Sequence, residues 1–424
     1  MTTGGARVGR PAPLALVASY FGVALANWAA ATVLLVVAAP EVAAAGLAAP
    51  NVLLAVHLVA LGFLPPAVTG AALHVLPTLL RNSASPVRSW AAFPLLCFGP
   101  LLAVGIAHDL GGLIWVSASA ETLGFAIVAW ELVSLTLRAP RGRMLLASRA
   151  GIVLSTLHAA AALAFGAGVA AREWRPLAGI PHERAIAIHL HLAVLGWLTL
   201  LILAVGRTLG PMLAMAPAAG RRRLPAEELV LTGGIWLLAA GFGLGSQALE
   251  LAGALVCLGA VASFAVLMAR VARQHRLDGL EGPIAHLLSG LFFLAQAAAL
   301  GIGMLTGLDV TPRRLTAYVV LLLVGWAAGV TLGHLGKLLS LSVWAWWPPG
   351  PRPKQSAFYP RRMWVTEAAL FAVGVEVVAG GALRGSEWAV RGGAILLAAG
   401  AATALAGCAR TIAGARPALS RLAA

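Results

Sequence analysis

Charge is what this sequence has least of. Asp, Glu, Lys and Arg make up 11% of its 424 residues, and only 15 residues are acidic. A water-soluble domain of this size with so few charges would expose large apolar patches, which excludes that class. Cysteine is also scarce. Cys97, Cys257 and Cys408 stand alone in apolar runs, which excludes a disulfide scaffold and a cysteine metal site. No serine or cysteine nucleophile arrangement is present. The 48 glycines are spread along apolar runs, which suits close helix packing and not a phosphate loop.

What the chain has in excess is hydrocarbon: 60% of residues are hydrophobic, and mean hydropathy is +0.90. Apolar runs of about 20 residues read as membrane-spanning helices. Twelve are predicted, at roughly 13–38, 51–80, 90–108, 112–137, 150–171, 185–214, 228–248, 250–272, 284–306, 314–347, 364–383 and 391–412. The predicted fold is therefore all-α, a single polytopic membrane domain over 1–424 that contacts the lipid bilayer.

The net charge of +15 does not indicate nucleic acid, because the basic residues sit in short loops between apolar runs. Arg7 and Arg10 precede span 1, and Arg81 and Arg88 follow span 2. Arg138, Arg141, Arg143 and Arg149 follow span 4, and Arg221, Arg222 and Arg223 follow span 6. Arg270, Arg273 and Arg276 follow span 8, and Arg352, Lys354, Arg361 and Arg362 follow span 10. All fall on one side if both termini are cytoplasmic, which predicts a multi-pass cell-membrane protein. Arg172, Arg175 and Arg184 before span 6, and Arg313 and Arg314 before span 10, are outer exceptions. The opening MTTGGARVGRP shows no cleavage site, so the first span is expected to be retained.

An internal repeat runs through the spans. Span 2 carries His57-Leu58-x-x-Leu61-Gly62-Phe63, with Pro77 further on. Span 6 carries His191-Leu192-x-x-Leu195-Gly196-Trp197, with Pro211 at the same offset. Span 10 repeats the Gly-Trp as Gly325-Trp326, with Tyr318 and Val320 at the registers of His189 and His191. The unit is four helices used three times, roughly 13–137, 150–272 and 284–412. This predicts three pseudo-repeated four-helix arcs.

Histidine is costly in hydrocarbon unless something binds it. Each helical residue turns about 100°, so His189 and His191 point to opposite faces and serve different neighbours. Haem suits such a place: it buries a large apolar disc, takes neutral imidazole as axial ligand, and wants basic residues near water for its propionates. His57 and His191 share a depth and are the expected ligand pair, with His189 beside them. Arg184, Arg313 and Arg314 sit at the outer helix ends, where propionates would project. His74 and His334 lie near the inner ends and form either a second haem site or a proton-entry cluster, or snorkel to the interface. His158, mid-span, is a reserve ligand. His108, His182, His275 and His286 read as interfacial. Among the intramembrane acids Glu121, Glu131, Glu250, Glu367 and Glu376, Glu121 is the first candidate for proton transfer.

The run His189-x-His191-x-x-x-Leu195-Gly196-Trp197 with Pro211 resembles the H-V-H-S-G-A-L-G-W type helix of cbb-type cytochrome oxidases and nitric oxide reductases. His57 followed by Gly62, Pro66 and Gly70 resembles the haem-ligating second helix of that haem-copper oxidase superfamily. The NnrS family, haem-containing membrane proteins of nitric oxide metabolism, is another similar group. The resemblance implies haem b, one or two per chain, with His57 and His191 as low-spin ligands and His189 as a possible ligand to a second haem. Two departures limit it. The family has its H-x-H on the tenth span, and its copper or non-haem iron needs a histidine pair on the seventh. Here the seventh reads VLTGGIWLLAAGFGLGSQALE, so no copper is expected.

Three functions follow as alternatives. The first is a haem protein that transfers electrons or binds or turns over a small ligand such as nitric oxide, with an electron-donor protein or quinol as the expected partner. The second is a twelve-helix proton- or metal-coupled transporter. The third is a haem-free assembly factor. Oligomeric state is not legible in the sequence.

Overall fold

The computed structural model describes residues 12–423, apart from 45, 81, 140–145, 171–178, 218–225, 277–278 and 349. Arg7, Arg10, Arg81, Arg141, Arg143, Arg172, Arg175, Arg221, Arg222 and Arg223 lie outside the described residues. Among the described residues there is no strand, and twelve helices are long and apolar enough to cross a membrane. The chain is an all-α polytopic membrane protein. Helix is what a bilayer demands, because hydrocarbon offers no partner for backbone N–H and C=O groups.

The helices are α1 (Leu14–Val37), α2 (Pro50–Leu80), α3 (Pro86–Ala107), α4 (Gly111–Arg138), α5 (Leu146–Ala170) and α6 (His182–Leu213). They continue as α7 (Ala226–Leu244), α8 (Gln247–Arg273), α9 (Gly282–Thr306), α10 (Pro312–Ala345), α11 (Arg361–Arg384) and α12 (Glu387–Arg416). Eleven of the twelve starts fall earlier than hydropathy predicts, and caps extend two of them. The Ser85 hydroxyl accepts from Arg88 N at 3.4 Å with Pro86 in the first turn, and Thr311 accepts from Arg314 N at 3.3 Å ahead of Pro312.

One backbone feature recurs at one register. α2, α6 and α10 each pass through a π-helical stretch: Leu58–Phe63, Leu192–Thr199 and Val320–Ala328. These begin just after His57 and His191, and at Val320 itself. Such stretches are rare and concentrate at functional sites. Each contains the glycine of the repeat, and each glycine admits a side chain from the first helix of its arc. Gly62 meets Asn27, Gly196 meets the His158 ring and Gly325 meets Phe293. The widened turn leaves carbonyls to satisfy, and Thr199 Oγ1 donates to Val194 O, five residues back, at 2.8 Å. Trp326 Nε1 then donates to Thr199 Oγ1 at 2.8 Å, which ties α10 to α6.

The hairpins α3–α4, α7–α8 and α11–α12 also turn alike. Asp109, Gly245 and Gly385 hold φ of 55°, 69° and 65° at the three tips, a left-handed conformation that glycine adopts freely and aspartate tolerates. α10 is the most enclosed helix, with 78% of its most apolar stretch buried, and it touches both α2 and α6. The outward faces carry exposed Leu, Val and Ile. Trp90, Trp115, Trp130 and Trp388 sit toward helix ends, as in an interfacial aromatic belt.

Candidate functional site

The N-terminal ends of α2, α6 and α10 are called outer here, after the predicted orientation. Intramembrane histidines at both ends share one geometry. Nδ1 of His57 lies 2.9 Å from Leu53 O, Nδ1 of His158 lies 2.8 Å from Leu154 O, and Nδ1 of His191 lies 2.7 Å from Ala187 O. Nδ1 of His334 lies 2.7 Å from Val330 O, and Nδ1 of His189 lies 2.8 Å from Ala162 O on α5. A carbonyl can only accept, so Nδ1 carries the hydrogen and a neutral ring presents its Nε2 lone pair. A backbone carbonyl on the far nitrogen is also how metal-binding imidazoles are held.

His189 and His191 do face opposite ways. His191 is turned to α10 and α7: its Nε2 accepts from the Tyr318 hydroxyl at 2.9 Å, and its ring centroid lies 5.2 Å from that of Phe242. His189 packs against Gly166 of α5. The Nε2 of His191 is taken by Tyr318. That contact sets how the second arc is turned against the third: the register of His191 meets the register of Tyr318. One arc back, the same two registers hold His57 and His189.

The three arginines expected around propionates do not converge. Arg184 lies against the Gly245 turn, and Arg313 lies against the Gly385 turn. Arg314 holds the Asp309 carbonyl at 2.7 Å and its carboxylate at 3.8 Å. Each locks an outer turn next to its own helix. The imidazoles thus fit an axial ligand role, while these cations do not form the partner set for propionates.

His158 is buried on Trp236, with ring centroids 5.7 Å apart, and its Nε2 has no hydrogen-bond partner. Glu121 is fully buried. Neither of its carboxyl oxygens makes a hydrogen bond of ordinary geometry, and the Gly99 amide lies beside it. Glu131 is structural, accepting from Arg88 Nε at 2.6 Å and from Ser85 N at 2.7 Å. Glu376 is exposed in mid-helix and accepts from Gln296 of α9 at 3.0 Å.

The inner end departs most from expectation. His286, expected at the interface, is fully buried and bonds Glu367 of α11 through Nε2 at 2.7 Å. Its neighbour Gly333 makes the room. The other nitrogen of His286 and the other oxygen of Glu367 have no hydrogen-bond partner among the described residues. His74 does not snorkel: it is 7% exposed, with Nδ1 2.9 Å from Ser342 Oγ of α10. Buried Arg207 bonds Glu228 at 2.8 Å and contacts Glu227, and Lys337 bonds Glu281 at 2.8 Å. Sequence reading missed these pairs because their partners lie on different helices. No group of three or more His, Cys, Asp or Glu side chains placed to hold a metal ion occurs among the described residues. Imidazole pairs and single imidazoles are the ligating units on offer.

No protein-family model matches the chain, and no curated protein is similar enough to match it.

Proposed function

We propose that this is a haem b-binding protein of the cell membrane, with His57 and His189 as the axial pair and both termini cytoplasmic. The observation that carries the reading is the His191–Tyr318 bond. It identifies which registers of adjacent arcs meet, and in the preceding pair of arcs those registers are both histidine. In each ring Nδ1 is held by a backbone carbonyl, which leaves Nε2 as the nitrogen able to ligate a metal. The three cysteines offer no C-x-x-C-H attachment site, which makes the haem non-covalent.

Haem would supply a one-electron couple in a low-dielectric site. The residues do the rest. Leu53 O and Ala162 O fix the two rings and keep Nε2 free. A haem held by two protein imidazoles would serve electron transfer in preference to turnover of a small ligand. No copper centre belongs to this reading, because α7 carries no histidine.

The test is spectroscopic. Protein expressed with haem supply should show a Soret band and sharp α/β bands on reduction. His57→Ala and His189→Ala should each convert a low-spin spectrum to high-spin or lose haem, while His191→Ala should keep it. Colourless wild-type protein would sink the proposal. The fully buried His286–Glu367 pair, with an unpartnered atom on each side, would then favour proton-coupled transport.

A further inference from the structure

A second site lies at the inner end, away from the His57 junction. α2, α6 and α10 separate there around an open cavity of about 130 Å³. Its walls include Val68, Leu76, Leu201, Leu209 and Phe264, and among the described residues its only polar side chains are Thr331 and His334. A mostly apolar concave site with a few convergent polar groups is the usual form of a small-molecule site.

The polar atoms define what fits. His334 donates Nδ1–H to Val330 O, so its Nε2 is an acceptor, and no described residue bonds it. Thr331 donates its hydroxyl hydrogen to Ala327 O at 2.8 Å, which leaves only its oxygen lone pairs. Both groups ask the ligand for a donor. An anionic head finds no free cation: Arg207, next to wall residue Gly206, is held by Glu228, and Lys337, next to wall residue Leu338, is held by Glu281.

We propose that the cavity binds a neutral, lipid-like molecule with a hydroxyl group, which it donates to His334 Nε2 while its apolar body fills the space between α2, α6 and α10. The hydroxyl could belong to a hydroquinone ring or to a lipid alcohol. The proposal does not depend on haem at the other end.

The full chain in detergent is tested with radiolabelled decyl-hydroquinone under reducing conditions, so the readout needs no haem. Saturable binding is expected, with the dimethyl ether of the same probe competing about tenfold more weakly, one hydrogen bond's worth. His334→Leu should bring the two probes within about twofold of each other. Ala72→Phe, which fills the cavity, should abolish binding of both. Displacement by 1-decanol would assign the site to lipid alcohols in general, and failure to displace would assign it to the ring. Equal binding of hydroquinone and ether to the wild type overturns the proposal, as does unchanged binding by folded Ala72→Phe. Those two measurements decide the matter even if His334→Leu fails to fold.

Discussion

Tyr318 tests the rotational argument directly. Its hydroxyl donates to Nε2 of His191, a residue only 8% exposed whose other nitrogen is held by Ala187 O. Tyr318→Phe keeps the ring and removes the donor, leaving a buried acceptor unpaired. Such a loss is worth about 1–3 kcal/mol. The ring stays packed against Gly301, so little cavity term is added and the lower half of that range is expected. His191→Phe in the Tyr318→Phe background removes the orphaned acceptor and should recover part of the loss.

Reversible unfolding in mixed detergent–SDS micelles measures these differences. Tyr318→His is the sharper change. It puts imidazole at both facing registers of α6 and α10, the arrangement proposed between α2 and α6. Haem bound per polypeptide should rise by one above the wild-type value. Folded Tyr318→His protein with unchanged haem content, beside wild type that binds haem through His57 and His189, would show that the junctions are not equivalent.

Other outcomes follow from the same structure. Glu228→Ala should destabilise by about 3 kcal/mol, the low end for a broken buried pair, because Glu227 still touches Arg207. Arg207→Met with Glu228→Leu should unfold within about 1 kcal/mol of wild type or be more stable, and simple additivity of the two single changes would refute the pairing. Asp309→Cys should react with an impermeant thiol reagent added outside cells and Ser83→Cys should not; the reverse pattern would invert the topology. Tyr359 lies outside the spans, and burial, then the Glu281 carboxylate, raise its phenol above the ordinary range. A raised acid favours the protonated fold, so this stability is complete below about pH 10 and lost as pH rises through the folded value. Stability of the wild type against unfolding should fall above about pH 10 more steeply than that of Tyr359→Phe. Gly325→Leu should drive a side chain into Phe293 and destabilise by about 1–3 kcal/mol, read by the same SDS titration.

Much of the architecture is written in one dimension. Hydropathy places twelve spans because each must be apolar over its own length, whatever its neighbours are. The repeat is legible because His57, His191 and the glycines after them keep one spacing, and π-helical turns occur at those registers. Azimuth is not legible in the same way. A register match gives two residues one depth, which is why His57 and His191 look like a pair in sequence. Azimuth is set by packing: His191 turns to Tyr318 of the next arc, a register that spacing along the chain does not point to.

The inner end shows the same limit from the side of charge. His286, Glu367, Arg207 and Glu228 each read alone as helix-end polar residues, because hydropathy cannot see a partner on another helix. In the bundle His286 reaches across 81 residues to Glu367, and Lys337 reaches across 56 to Glu281. Burying these groups is costly unless each is paired, so their positions constrain how α6, α9, α10 and α11 meet. The pairs also neutralise the basic groups beside the cavity. Its wall then keeps only acceptors, His334 Nε2 and Thr331 Oγ1. The three arcs share a π-helical stretch but differ in side chains at the registers that His191 and Tyr318 occupy: His57 and His189, then His191 and Tyr318, then Val320 and Ala55. Packing alone gives no reason to place imidazole at some of these registers and hydrocarbon at others. On the haem reading proposed above, that asymmetry follows from a ligand held at one junction and not at the others.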